Sequence, residues 1–442
     1  MALPPSEPAS PRAPDAADAP APDASRRGFL RRLGLAAGAG AALAWPERIR
    51  ALEGALPRGA PPPPDAASQD PWRRIRAEFL IPDDRLYFNV GTLGAQPRVV
   101  VDAVIEHTRR VAMTYPPAVD WDALKARLAA LVHCDPAGLV FPRNTTEGMS
   151  FVANGLELHP GDEVLTTDHE HIGGLCCWQL QARRRGVVLR QLRLPVPPSD
   201  PAQVVDVFRK AMTRRTRVVS ISHVNFTNGL VMPVAEIVTL CRRSGVIVVV
   251  DGAHPPGLVP VDIAALDPDF YASSPHKWLL AAQGTGFLYM REEWRTRLWP
   301  TLASGDWDDV TLGAQRFNHL GTFDESRLAG LLAALAFHET IGDDRVHARI
   351  RELRRRLADG LAELRGVRLV SPRDDAMVAG MVSFALDRLP SLELQKRLAE
   401  RANARTRVIG EYDYGWMRLS PHIYNSPDEI DRLLALIGEA AA

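Results

Sequence analysis

The stretch SSPHKWLLAAQGTGFLYMR, residues 273–291, sets Lys277 in an apolar, glycine-punctuated neighbourhood of a chain that writes nearly all its positive charge as arginine. On a surface such a lysine is a solvated charge. Withdrawn from water, its charged form is disfavoured, and the free amine becomes a nucleophile able to form a Schiff base with a carbonyl. Other groups have chemistry to match. Asp251 closes the apolar run VIVVV, and His254 follows it in DGAH. A carboxylate there is also found as a plain cap, but Lys277 follows one strand later, so both side chains can face one crevice. In PRNTTEGMSFVANGL, Asn144, Thr145 and Thr146 open a helix whose first amides and hydroxyls suit a phosphate, or simply cap it. His171, in DHEHIGG, lies just past the run DEVLTT. A lysine for an aldehyde, an aspartate for a ring nitrogen, a histidine and a phosphate cradle are together what pyridoxal phosphate requires.

The elements that must position these groups alternate. GLVFPR, DEVLTT, VVLRQLRL, RVVSISH, VIVVVDGAH, FYAS and GFLYMR read as strands, with helices such as PVAEIVTLCRRSG between several of them. Two central strands are apolar throughout, as expected when both faces of a sheet are covered. The fold class is α/β: a mostly parallel, doubly wound sheet over residues 72–294, with a smaller α+β domain over 295–442. In the second region Val346, Ile350, Leu353, Leu357, Leu361 and Leu364 recur at spacings of three and four, predicting an amphipathic helix over residues 343–364. The strands MVSFALD and WMRLSPH and a last helix from Pro427 complete it. Ligands of such sheets sit at the carboxyl ends of the strands, where Asp251 and His171 fall.

Composition narrows the partners. Lys+Arg and Asp+Glu number 53 each, which leaves no electrostatic footprint for nucleic acid and favours a small molecule. Residues 1–24, rich in Pro, Ala and Asp, read as disordered. Residues 25–44 follow the layout of a twin-arginine export signal: Arg26 and Arg27, then Phe29 and Leu30, then a short apolar run ending Ala42-Leu43-Ala44. The expectation is recognition by the twin-arginine translocation machinery, cleavage after Ala44, and a mature protein in the periplasm or outside the cell. Residues 45–71 read as a proline-rich linker. Cys134, Cys176, Cys177 and Cys241 show no zinc spacing and read as small buried hydrophobes, and no metal site is expected.

Over residues 87–436 the chain resembles the class V aminotransferases, fold-type I pyridoxal phosphate enzymes, and its motifs are nearest the isopenicillin N epimerase-like branch. YFNVGTLGAQP resembles the family's substrate loop, NTTEGMSFVANGL its phosphate turn and HVNFTNGLVMPVAEI its mid-chain signature. The most specific match is DGAHPPGLVPVDIAAL followed by DFYASSPHKWL and GTGFLYMR; GTF at residues 321–323 and MRLSPHIYNSPDEIDRLL complete it. The resemblance implies Lys277 as the Schiff-base lysine, Asp251 as partner of the ring nitrogen and His171 stacked on the ring. Thr145, Thr146, Ser274 and His276 would hold the phosphate, with His254 beside the cofactor. Thr322 would reach the phosphate of the other subunit of a homodimer. Arg418, whose planar fork suits a carboxylate, and Asn89 in the substrate loop would meet an amino acid substrate.

Three departures mark the chain. His254 stands where many members have glutamine. Phe226 stands where an asparagine contacts the ring hydroxyl, with Asn225 one position early. No cysteine follows Cys241, so a desulfurase mechanism using the chain's own mobile thiol is excluded. The expected activity is removal of the α-proton of an amino acid with Lys277 as base, giving epimerisation or transamination. The alternatives are a C–S or β-eliminating lyase and, from another class, a non-catalytic ligand-binding homologue.

Overall fold

The computed structural model describes residues 70–113 and 119–441; the expected disordered tail, export signal and nearly all of the linker lie outside them. Each strand predicted for the large-sheet region is present: β1 (Leu139–Val140), β2 (Glu163–Thr167), β3 (Val188–Leu192), β4 (Thr216–Ser222), β5 (Ile247–Asp251), β6 (Phe270–Ser273) and β7 (Phe287–Met290). They form one sheet in the order β1-β7-β6-β5-β4-β2-β3. The pairs from β3 across to β6 are parallel, and β7 runs antiparallel to both its neighbours.

The central strands show why both faces must be covered. In β5, Val248 and Val250 join one apolar cluster with Ile237, Tyr271 and Leu331, while Val249 between them joins another with Met149, Val152 and Trp178. Alternate side chains point to opposite faces, so an unbroken valine run demands helices on both sides.

A second, antiparallel sheet has the order β10-β11-β9-β8, with β8 (Val367–Leu369), β9 (Val382–Leu386), β10 (Arg407–Ile409) and β11 (Trp416–Leu419). The predicted amphipathic helix spans Asp343–Glu363. Its stripe joins two cores: Val346 and Ile350 pack with the large sheet's cluster, Leu353, Leu357 and Leu361 with Phe384, Met417 and Leu433 beside the small sheet. Leu364 is the C-cap residue and only half-buried. The helix Ser326–Ile341 packs on Arg98–Met113, within the core of the large sheet. Among the described residues no helix is long and apolar enough to cross a membrane, and no group of three or more His, Cys, Asp or Glu is arranged for a metal. The four cysteines are unpaired; Cys177 and Cys241 are buried and the other two half-buried.

Candidate active site

At the carboxyl ends of β4, β5 and β6 lies a cavity of about 400 Å³. Its walls include Thr145, Thr146, His171, Asp251, His254, Ser274, His276, Lys277 and Arg418. Nine of the eleven residues singled out from the sequence thus meet in one place. Asn89 stands behind the wall, where its Oδ1 accepts from Arg418 Nη2 at 3.2 Å. Thr322 is exposed and outside the cavity.

Lys277 sits in the turn after β6. Gly94 N donates to His276 O at 2.9 Å, and a Cβ on Gly94 would overlap Lys277 O, so the segment before Arg98 clamps this turn by its backbone. Burial pushes the Lys277 amine down to about 8; Asp251 opposes the fall and Arg418 adds to it. Asp251 ends β5, and its Oδ1 accepts from Ala253 N at 2.9 Å. Burial raises its pKa, against the pull of Lys277.

The residues expected to hold a phosphate stand on two elements. Asn144 caps the helix Thr145–Gly155, its Oδ1 accepting from Glu147 N at 2.9 Å. Ser274 Oγ accepts from Thr145 N at 3.0 Å and lies 2.8 Å from Thr145 Oγ1, which ties the helix start to the lysine turn. Gly286, in the Gly-Thr-Gly, is held against this cap: a Cβ there would lie 2.6 Å from Asn144 N. His276 Nδ1 donates to Thr285 O at 2.9 Å, which leaves Nε2 as an acceptor; burial, helped by Lys277, lowers its pKa to about 4.

His171 caps the helix Ile172–Arg185, its Nδ1 accepting from Gly173 N at 3.1 Å. Its ring is exposed at the cavity and meets Phe226 edge-on at 5.1 Å. Enclosure by the walls, then Lys277, hold its pKa down to about 4. Arg418, on β11 and 2% exposed, donates from Nη1 to Phe226 O at 2.8 Å and from Nη2 to Thr92 Oγ1 at 3.2 Å, while Nε has no protein partner. Burial lowers its pKa to about 9. A buried guanidinium with an unused N–H is a ready receptor for a carboxylate.

Several wall residues were not anticipated. Ser222 ends β4 in register with Asp251 and donates to Glu170 Oε2 at 2.6 Å; Glu170 is buried, which raises its carboxyl to about 7. The pairing of adjacent parallel strand ends was the available signal for Ser222. Arg407 faces the cavity from β10, opposite Arg418, with Glu411 2.5 Å away. Phe226 lines the cavity whereas Asn225 does not: the Asn225 side chain is buried with neither polar atom paired.

A planar, phosphate-bearing ring fits these residues. Gly174 leaves the space in front of Asp251, since a Cβ there would lie 2.6 Å from Asp251 Oδ2, and a Cβ on Gly173 would strike Thr146 Oγ1. The mostly parallel sheet, the lysine in the turn after β6 and the helix start beside it suit a pyridoxal-phosphate enzyme. Residues 119–433 match the aminotransferase class-V family, to which the chain belongs. Isopenicillin N epimerase of Streptomyces clavuligerus is 33% identical over 397 residues, 83% of this chain and 99% of the epimerase. A probable cysteine desulfurase of Pyrococcus abyssi is 26% identical over 392 residues, 83% and 96% of the two chains. Among solved structures C-DES, a cystine C–S lyase, superimposes with a TM-score of 0.74 at 28% identity over 82% of this chain and 99% of its own; that mutant carries glycine covalently linked to its PLP cofactor. The cofactor is pyridoxal phosphate, and the chain is an enzyme rather than a silent binding protein.

Proposed function

We propose that the enzyme removes the α-proton of an amino acid with Lys277 as base, in an epimerase-like or aminotransferase reaction. The observation that carries this reading is the meeting of a half-buried lysine amine, a buried carboxylate and a buried guanidinium around one cavity. Bound pyridoxal phosphate supplies the electron sink that makes the α-proton acidic. The chain's own residues do the rest. Asp251 would hold a proton on the ring nitrogen, and His171 would lie beside the ring. Thr145, Thr146, Ser274 and His276 would hold the phosphate. Arg418, steadied by Asn89, Thr92 and the Phe226 carbonyl, takes the substrate carboxylate and so aims the α-carbon at Lys277. An amine with a pKa of about 8 is suited to accept a proton near neutral pH.

The epimerase relative, matched over nearly its whole length, supports return of the proton to carbon. The likeness to C-DES supports a second reading, in which the same proton removal is followed by loss of a β-substituent from a cystine-like substrate. In the proposed assembly two subunits pair and Thr322 reaches the neighbour's phosphate. Trp299, Leu302, Trp307, Val310 and Leu312, exposed in the preceding segment, supply apolar surface for that pairing. The twin arginines support export of the folded enzyme to the periplasm.

The test is incubation of holoenzyme with a panel of amino acids in deuterated water, following the α-hydrogen by NMR and the products by mass and chirality. Exchange at the α-carbon is expected, and Lys277→Ala should abolish it while remaining folded. No exchange with any amino acid, or borohydride fixation of the cofactor to a lysine other than Lys277, overturns the reading.

A further inference from the structure

His254 is 3% exposed, and its two ring nitrogens meet different partners. Nδ1 lies 3.0 Å from Trp278 Nε1, and Nε2 lies 3.4 Å from Lys277 Nζ. An indole N–H only donates, so Nδ1 must offer its lone pair, and a neutral imidazole then carries its proton on Nε2. That proton faces the lysine nitrogen. An ammonium there would set donor against donor, whereas a free amine accepts. We infer that Trp278 is a positioning residue: by fixing the tautomer of His254, it makes the imidazole a donor to the Lys277 nitrogen and so favours the free, nucleophilic amine over the ammonium, adding to the effect of burial. The inference deepens the proposed function and rests on its choice of Lys277 as the reactive amine.

The surroundings keep this arrangement rigid. Trp278 is fully buried, its carbonyl accepts from His422 Nε2 at 3.0 Å, and its ring lies 5.7 Å from that of His422. A Cβ on Gly257 would lie 2.6 Å from Trp278 O, so the backbone is pressed from the other side as well. The charged and titratable groups facing Lys277 do not do the work by themselves. Asp251 favours the ammonium, Arg418 disfavours it, and His171 and His276 stand near it with lowered pKa values. Burial, then Lys277 and Arg418, hold His254 well below the usual histidine range, so the imidazole stays neutral while the lysine titrates.

The experiment uses the full chain freed of cofactor and acylates it with acetic anhydride across a pH series, reading the Lys277 peptide by mass. In the wild type, labelling should rise through about pH 8. Trp278→Phe frees His254 to place its proton on Nδ1 and accept from the ammonium, so labelling at pH 8 should fall about tenfold, the equivalent of one charge-assisted hydrogen bond. His254→Leu, which removes the donor, should shift the profile the same way and serves if Trp278→Phe does not fold. His254→Gln should keep the wild-type profile, because its amide oxygen can accept from Trp278 while its N–H donates to the lysine. The leucine and glutamine variants test whether residue 254 donates to the lysine, and the shift in a folded Trp278→Phe protein tests whether Trp278 sets that donor. An unshifted profile in Trp278→Phe and His254→Leu, or a glutamine variant shifted as far as the leucine one, overturns the inference and leaves the proposed function standing. Wild-type labelling of Lys277 that follows an ordinary surface lysine overturns the inference, while the proposed function is judged by α-proton exchange and borohydride fixation.

Discussion

Gly174→Ala tests the position of Asp251 without touching its charge. A Cβ there would lie 2.6 Å from Asp251 Oδ2, where ordinary contact begins at 3.4 Å, so the carboxylate must yield about 0.8 Å. It has little freedom to do so, being buried at the end of β5 with Oδ1 already bonded to Ala253 N. The stability change is modest, because about 1 kcal/mol of helix propensity gained by alanine offsets part of an overpacking cost of about 1–3 kcal/mol. Catalysis is more sensitive, since a misplacement approaching 1 Å costs on the order of 100-fold. The expected result is a folded, cofactor-loaded protein whose α-proton exchange rate is down about 100-fold. Gly173→Ala, pressing on Thr146 Oγ1, should weaken cofactor binding instead. Wild-type turnover in a Gly174→Ala protein whose melting temperature and cofactor spectrum are unchanged would refute the role given to Asp251.

Other substitutions test the rest of the site. Arg418→Ala should raise KM for an amino acid substrate more than it lowers kcat, by about 10-fold or more, provided the carboxylate is held equally before and during the reaction; steady-state kinetics decides. His276 is neutral near pH 7, with Nδ1–H spent on Thr285 O, so Nε2 must gain a proton to donate to a phosphate. Binding of pyridoxal phosphate should then take up about one proton more in the wild type than in His276→Asn, and affinity should weaken more steeply as pH rises; calorimetry in buffers of different ionisation enthalpy measures this. Replacing Arg26 and Arg27 with lysine should leave the precursor in the cytoplasm on fractionation, and normal export of that variant would refute the signal.

The large sheet was legible because its central strands carry apolar runs punctuated by turn and cap residues, as in VIVVVDGAH, and strands rich in β-branched and aromatic residues flank them. The strands β8 and β10, three residues each, are too short to show a period. The helix Ser326–Ile341 is buried on nearly every side, so it offers no amphipathic stripe to read. In the site, Lys277 and Asp251 stood out because a rare lysine and a strand-ending carboxylate are conspicuous by type. Arg407, Trp278 and the Phe226 carbonyl were not, because their roles depend on which chain segments a turn brings together. Asn89 shows the same limit: its segment was legible, but its place behind Arg418 follows from the bridge between Asn89 and Ser420, a pairing no local pattern encodes.

Lys277 follows β6 of the large sheet and Arg418 lies on β11 of the small sheet, and the segment around Tyr87–Gly94 bonds to both, through the Asn89–Ser420 bridge on one side and the His276 carbonyl on the other. In the proposed function, an amino acid with its carboxylate at Arg418 and its α-carbon at the cofactor beside Lys277 would act as a removable cross-link between the two sheets. Occupancy then becomes mechanical support: at a concentration 100 times its dissociation constant, such a ligand adds about 2.7 kcal/mol to the stability of the folded state. That gain should be felt first at the seam between the sheets, so the amides of Tyr87–Gly94 and of β11 should be the ones whose hydrogen exchange slows most when substrate is present.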